Sequence, residues 1–316
     1  SGLARAGGAA MSLITLFTAP KPFRDGHIST IQRNALESWK ALGPAVEILL
    51  VGEEDGLAET AAEMGLRHLP QVARNALGTP LVSSIFELAR EHSDSPILGY
   101  VNADILLLPE LIPAVEQVRA LRERFLMVGQ RWDLDVRERL EFTPGWDARL
   151  SADIQARGRL HPPGGSDYFF FPRECFGRMP AFAIGRAGWD NWMIYEARRS
   201  GWTVVNATPS MRIVHQDHDY SHLPNGQPHY RLPETNDNVR LAGGRRTIFG
   251  LWDCERELVQ GALRRPRLSW KRFWREVEIF PLVKLRSMAL GQLFYAVFHP
   301  LKAYREARAW LRTRKS

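Results

Sequence analysis

The residues Asn102-Ala103-Asp104 follow the apolar pair Tyr100-Val101 and place two polar side chains after a β-prone run. Asn102 and Asp104 are two positions apart, so extended backbone would point both side chains the same way. Mg²⁺ and Mn²⁺ take hard oxygen ligands, commonly one or two carboxylates together with substrate phosphates. Asp104 can supply such a ligand, and the Asn102 amide suits a ribose hydroxyl. A turn or a helix cap after the strand is the structural alternative.

A second polar group begins at His215 and holds three histidines and two aspartates within eight residues. His215 follows a predicted strand at 211–214, and imidazole is a common ligand for divalent metals. A single histidine is usually structural, but this density favours a polar site. His218, Asp217 and Asp219 could bind metal or acceptor beside it.

Asp190 comes after a Gly loop, between Trp189 and Trp192, where a helix over 190–199 is predicted. As structure, Asp190 is a helix N-cap, which contributes about 1 kcal/mol. As chemistry, it can act as a general base, and tryptophans offer sugars an apolar face for stacking. Burial in the core is the alternative for both tryptophans.

Residues 164–171 form a Gly-rich turn that enters an aromatic strand. Asp167, two residues after Gly165, is the acidic side chain of this turn. A hairpin with a capped end is the structural alternative.

Apolar periodicity indicates the elements that would position these residues. Predicted strands lie at 13–18, 46–51, 67–69, 97–101 and 125–128, and predicted helices at 27–42, 57–64, 81–92 and 109–122. Alternation of strand and helix over 11–130 predicts βαβ units with a parallel sheet between helices. Ligands bind outside the carboxyl ends of such strands, where the polar loops lie. Later segments are richer in Trp, Gly and Pro, with a further helix predicted near 253–263.

The order of these motifs resembles the GT-A superfamily of nucleotide-sugar glycosyltransferases, which carry a D-x-D motif after a strand. Asn102-Ala103-Asp104 occupies that place, although its first acid is Asn. The resemblance implies a GT-A α/β fold, a nucleotide-diphospho-sugar donor, and Mn²⁺ or Mg²⁺ held by Asp104 and His215. It also implies that Asp190, in a W-x-x-acid-like motif, is the base of an inverting transfer to a glycan or lipid-linked glycan.

The same resemblance implies that Gly165 and Asp167 contact the acceptor or the sugar. It also implies a set of donor-binding residues: Thr18, Ala19, Pro20, Lys21, Glu53, Arg74, Asn75, Asn102, Ala103, Asp104 and Arg131. Ordinary loop chemistry is the alternative for most of them, and an ion pair is the alternative for Arg131.

Charge divides the chain unevenly. Residues 264–316 hold 14 Lys/Arg and three Glu, a net of +11, so residues 1–263 carry −4 of the total of +7. The tail mixes these cations with aromatic residues, a composition typical of an amphipathic helix on an anionic membrane. Packing on the catalytic domain or on a second copy in a homodimer is the alternative. The sequence contains no known nucleic-acid-binding motif, so nucleic acid is not expected as a partner.

Three segments are expected. Residues 1–10 are read as an expression scar or disordered leader, 11–263 as a catalytic domain with halves 11–130 and 131–263, and 264–316 as a basic helical tail. Two distant cysteines favour a reducing compartment. We therefore expect a cytoplasmic protein, peripheral on the inner face of the cell membrane if the tail binds lipid.

Three other functions compete with glycosyl transfer. A metal-dependent hydrolase or phosphodiesterase would use the cluster from His215 to His222 and turn over without an acceptor. A nucleotidyltransferase would show a Gly-rich loop near the first strand, where residues 18–21 have Lys but no Gly run. A non-catalytic nucleotide-sugar-binding module would bind without turnover.

Overall fold

A computed structural model describes residues 11–24, 26–218 and 232–313, with side chains described as far as residue 308. The expectations for residues 1–10, for Asp219 and for His222 lie outside these ranges.

The strands of the described residues form two sheets. They are β1 Ile14–Thr18, β2 Val46–Val51, β3 Arg67–Leu69, β4 Ile97–Val101, β5 Ile105–Leu107, β6 Phe125–Val128, β7 Trp132–Leu134, β8 Arg159–Leu160, β9 Tyr168–Pro172, β10 Thr203–Asn206, β11 Ile213–Gln216, β12 Arg256–Val259 and β13 Ala262–Arg264.

Helices cover both faces of the larger sheet. They are α1 Gly26–Lys40, α2 Leu57–Met64, α3 Val82–Glu91, α4 Leu111–Leu121, α5 Trp146–Arg157, α6 Trp189–Arg199, α7 Pro233–Ala242, α8 Trp270–Val283, α9 Met288–Phe298 and α10 Pro300–Thr313.

The larger sheet has nine strands in the order β13-β12-β10-β6-β9-β4-β1-β2-β3. β1 pairs in parallel with β2 and β4, and β10 pairs in parallel with β6 and β12. β1 is buried along its whole length because helices cover both faces of the sheet. Leu16 and Phe17 accordingly enter opposite cores. The expected α/β fold with a mostly parallel sheet is confirmed.

β9 is antiparallel and lies between β4 and β6. Its four aromatic side chains are fully buried, because the strand has core on both faces. The aromatic strand predicted here therefore occupies the centre of the sheet.

A second sheet of four short strands, in the order β5-β11-β7-β8, adjoins the end of β4. β11 pairs antiparallel with β5 and parallel with β7. His215 lies within β11, one strand from Asp133 on β7. This sheet brings residues from distant parts of the chain beside Asp104.

The prediction of a helix near 253–263 is wrong. This segment forms the antiparallel hairpin of β12 and β13, which turns at Gln260 and Gly261 with φ of 50° and 77°. Two successive residues at positive φ fit the tight hairpin turn that matches strand twist.

The tail packs partly on the rest of the protein. Ile279, Leu282 and Val283 of α8 join the core beneath α6. Arg198 of α6 donates to Glu276 of α8 at 2.9 Å. Among the described helices, none is both long enough and apolar enough to cross a bilayer.

Candidate active site

A cavity of about 560 Å³ opens at the carboxyl ends of β1, β2 and β4. Most residues predicted for the site line it: Ala19, Pro20, Lys21, Arg74, Asn102, Ala103, Asp104, Arg131, Asp167, Trp189, Asp190 and His215. The parallel sheet explains this convergence, because its strands end at the same edge.

Asn102 and Asp104 lie in a turn rather than on extended backbone, because the Ile105 N–H donates to the Asn102 carbonyl at 3.1 Å. The extended backbone expected for this segment is therefore absent, and the two side chains contact different residues. Asn102 Nδ2 donates to Asp167 Oδ1 at 2.8 Å, whereas Asp104 Oδ2 lies 3.1 Å from His218 Nε2.

Asp104 is held as a carboxylate. Although burial alone would raise its pKa, the hydrogen bond from His218 and the nearby Lys21 and His215 hold the pKa well below its usual range. Its Oδ1 atom is buried and has no hydrogen-bond partner among the described residues. A buried, unpaired carboxylate oxygen is a costly feature that a ligand would relieve.

Three side chains of this cavity have the chemistry of a metal site. One donor atom from each of Asp104, His215 and His218 lies within 4.8 Å of the others. His215 Nδ1, on the other hand, faces the Asp133 carboxylate at 3.4 Å. A carboxylate with two imidazoles is a donor set suited to first-row divalent ions. The residues therefore fit a divalent metal.

Lys21 currently faces the same atoms. Its Nζ lies 3.1 Å from His218 Nε2 and 3.7 Å from Asp104 Oδ2. Burial lowers the pKa of Lys21, although Asp104 opposes this shift. Because like charges repel, the Lys21 ammonium and a divalent ion would compete for Asp104 and His218.

Arg131 is engaged by two carboxylates. It donates to both oxygens of Asp167 at 2.9 Å and to Asp133 Oδ1 at 2.8 Å. Asp133 also accepts from His161 Nδ1 at 2.7 Å and lies 3.4 Å from His215 Nδ1. Arg131 therefore links the metal-ligand side of the cavity to Asp167, and the ion pair weighed from the sequence is present.

Asp190 is the second residue of α6, and Gly188 at φ 109° is the N-cap instead. Its Oδ1 accepts from the Gly188 N–H at 3.2 Å. Burial raises the pKa of Asp190 to about 6, an effect that backbone N–H groups oppose and the Asp167 charge supports. A carboxylate with such a pKa, open to a cavity, is suited to accepting a proton near neutral pH.

The two tryptophans differ in position. Trp189 lines the cavity, but its ring packs on Tyr100 and Phe169 with centroids 5.1 and 5.3 Å away. Trp192 does not line the cavity and packs against Phe182 at 5.3 Å. The core alternative therefore describes Trp192, whereas Trp189 is 6% exposed and lines the cavity.

Thr18, Glu53, Asn75 and Gly165 also fall outside the cavity lining. Thr18 is fully buried beneath it, and Glu53 points to solvent near Arg74. Asn75 Oδ1 accepts from Leu77 N and Thr79 N, so it shapes the turn before α3. Gly165 still borders Asp190, since a β-carbon built there would lie 2.8 Å from Asp190 Oδ2.

Two charged residues of the lining were missed from the sequence. Glu54, rather than Glu53, faces the cavity and accepts from Arg74 Nη2 at 2.9 Å. Arg186 also lines it and donates to Glu234 Oε2 at 2.7 Å. Glu54 was missed because residue type alone does not distinguish it from the adjacent Glu53. Arg186 was missed because its partner Glu234 is 48 residues away in the sequence.

No family model and no curated protein matches the chain. Solved structures with a similar fold include a glucosyl-3-phosphoglycerate synthase from Mycobacterium tuberculosis in complex with Mn²⁺, UDP and phosphoglyceric acid, at 13% identity and a TM-score of 0.44. That match covers 75% of this chain and 80% of the other.

A mannosyltransferase from Pyrobaculum calidifontis, in complex with GDP-Man and Mn²⁺, matches at 10% identity and a TM-score of 0.43, covering 98% of this chain and 83% of the other. TarS from S. aureus, in complex with UDP-GlcNAc, matches at 10% identity and a TM-score of 0.48, covering 74% and 66%. These likenesses concern fold, so the function of this chain rests on its own site residues.

Proposed function

We propose that this protein is a glycosyltransferase that moves a sugar from a nucleoside-diphospho-sugar to an acceptor hydroxyl of a glycan or lipid-linked glycan. The observation that carries the proposal is one cavity holding both Asp104 with two histidines and Asp190. The first group suits a metal-diphosphate, and the second suits a hydroxyl that must lose its proton.

A divalent ion, Mn²⁺ or Mg²⁺, would be held by Asp104 and His215, with His218 as a third ligand. When bound, it would neutralise charge on the leaving diphosphate. Lys21 and Arg74 line the cavity as further cations for phosphate oxygens. Asn102 Nδ2 donates to Asp167 Oδ1 at 2.8 Å and so would position Asp167 between the donor and the acceptor.

In the transfer step, Asp190 takes the proton of the acceptor hydroxyl while that oxygen forms a bond to the anomeric carbon. The bond from the anomeric carbon to the phosphate oxygen breaks, and the nucleoside diphosphate leaves with the electron pair. Attack opposite the leaving group inverts the anomeric configuration. A product of retained configuration would contradict this role for Asp190.

The test is a thermal-shift screen of UDP-, GDP-, dTDP- and CMP-linked sugars, each with and without Mn²⁺. A ligand that binds only the folded state raises the melting temperature, and saturation at 100 times Kd adds about 2.7 kcal/mol. We expect one nucleotide class to stabilise the protein, more strongly with Mn²⁺. Asp104→Asn should remove the Mn²⁺-dependent increment, whereas Asp153→Asn, an exposed change on α5, should keep it.

A hydrolase is the second candidate, because Asp133, His215 and Asp217 form another group with donor atoms within 4.8 Å. It would bind two metals and act without an acceptor. Stabilisation by metal alone, with no response to any nucleotide, would favour it. The ties of Asp133 to Arg131 and His161 argue against that group as a second metal site.

A further inference from the structure

A second cavity, of about 840 Å³, lies between the tail helices and the body of the protein. Its lining combines cations with aromatic rings: Arg245, Arg267, Lys271, Arg272, Arg275 and Lys302 with Trp252, Trp274, Tyr295 and Phe298. Glu278 is its one carboxylate among the described residues. Such a lining suits a ligand with both an anionic and an apolar part.

The acids of the tail are already engaged. Glu276 pairs with Arg198 at 2.9 Å, and Glu278 pairs with Arg275 at 3.0 Å and His299 at 3.1 Å. Glu306 faces the backbone N–H of Arg245 at 3.4 Å. All three carboxylates therefore have partners, and the net charge of the tail is carried by its excess of cations.

Several cations of the cavity have no such partner. Within the described ranges, the side chains of Arg267, Lys271 and Lys302 make no hydrogen bond or ion pair, and all three residues are exposed. Three unpaired cations around one cavity repel each other, so an anion bound there would be stabilised.

An apolar rim surrounds these cations. Trp270, Phe273 and Trp274 are 76%, 51% and 51% exposed, although large aromatic side chains usually lie inside a protein. Their rings contact one another, and Trp274 also contacts Phe298, so the rim is continuous with the cavity. Leu293 and Val297 of α9 and Leu301 of α10 are exposed as well.

We propose that this face docks on an anionic bilayer and that the second cavity holds the phosphate of a lipid headgroup. Trp, Phe and Leu belong at the boundary between headgroups and acyl chains, and basic residues beside them attract anionic lipid. The charge of the tail complements that partner. The proposal does not depend on the chemistry of the first cavity.

Docking would also orient the first cavity. Pro163 lines the second cavity, and Gly165, two residues later, borders Asp190. A lipid phosphate beside Pro163 would therefore sit one short loop away from the candidate base.

The experiment is co-sedimentation of the full chain with sucrose-loaded vesicles of phosphatidylcholine alone or with 30% phosphatidylglycerol. We expect partition into the anionic vesicles only, weakening as salt rises. Because each basic residue near the surface contributes about fivefold, Lys271→Glu with Lys302→Glu should lower the partition coefficient by about tenfold or more. Trp270→Ser, at an exposed position, should lower it several-fold without unfolding the protein.

The matched control is Arg119→Glu with Arg139→Glu, an equal change of net charge at exposed positions outside the tail. It should retain most of the binding. An equal loss in the control, equal binding to neutral vesicles, or unchanged binding of the Lys variant would each overturn the proposal. Binding of inorganic phosphate in the second cavity that leaves partition into the anionic vesicles unchanged would show a site for free phosphate and would overturn a lipid headgroup as its occupant.

Discussion

Asp190 is the residue whose environment best predicts a pH dependence. Its pKa is raised to about 6 by burial, and a general base must be unprotonated to act. We expect kcat/KM to rise with pH through about 6 and to level off above it. Asp190→Asn should lower kcat by about 10²–10⁴-fold and abolish that limb of the profile. An unchanged profile in Asp190→Asn would remove the residue from the proton transfer.

The same shift has a consequence for stability. A raised pKa in the folded state means that Asp190 favours folding while protonated and that this contribution is lost as pH rises through about 6. Asp190→Asn should therefore be more stable than the parent at pH 8, by on the order of 1–2 kcal/mol, and equal to it near pH 4. Urea unfolding at both pH values measures this. If Asp190→Asn is less stable than the parent at pH 8, the backbone N–H groups stabilise the Asp190 carboxylate by more than burial destabilises it.

At the scale of elements, Gly99 fixes the contact of β4 with β9. It lies opposite Phe170, and a β-carbon on Gly99 would overlap the Phe170 ring. Gly99→Ala should cost about 1–3 kcal/mol of unfolding free energy, the usual cost of overpacking a core. Phe170→Leu in the same chain should recover part of the loss. A double-mutant cycle by urea unfolding measures the coupling, and strictly additive effects would contradict the contact.

Arg198 joins α6 to α8. It is buried at 4% exposure, donates to the Asp253 carbonyl, and pairs with Glu276. Arg198→Met should destabilise the protein by about 2–3 kcal/mol, because the buried carbonyl loses its donor. Glu276→Gln should cost less, since that carboxylate is 41% exposed. Equal losses in the two variants, measured by denaturant unfolding, would assign the effect to the ion pair instead.

The sequence predicts the elements with strong apolar periodicity and misses those defined by pairing. The strands 46–51, 97–101 and 125–128 lie where predicted because each is a short, mostly apolar run, and the three-residue strand at 67–69 also lies where predicted. The second sheet was not predicted, since strands such as β7, of three residues, carry no measurable alternation. The hairpin at 256–264 was predicted as a helix because its apolar residues recur at spacings of three and four, as on a helix face.

In the candidate site, too, local sequence identifies single residues, whereas contacts between distant residues depend on the fold. Asp104 and Asp190 are recognisable from their place after a strand and before a helix. The partners Asn102–Asp167 and Asp104–His218 are 65 and 114 residues apart, so only the fold joins them. Local reasoning can name the reactive side chains but not their neighbours.

At the scale of the whole molecule, stability should be unevenly distributed. The large sheet is buried on both faces, whereas α10 exposes most of its described side chains. Amides of α10 should exchange with solvent through openings of far lower free energy than those of β4 or β9. Hydrogen exchange followed by mass spectrometry checks this order. Equal protection in α10 and β9 would contradict it.

The position of β9 also has a consequence for synthesis on the ribosome. β9 alone connects the parallel block of β3, β2, β1 and β4 to the block of β6, β10 and β12. β4 ends at residue 101, and β9 begins at residue 168. At roughly 5–20 residues per second, the nascent chain waits several seconds with this edge of β4 unpaired. An exposed apolar edge strand is a template for aggregation, so we expect nascent chains halted before residue 168 to recruit chaperones.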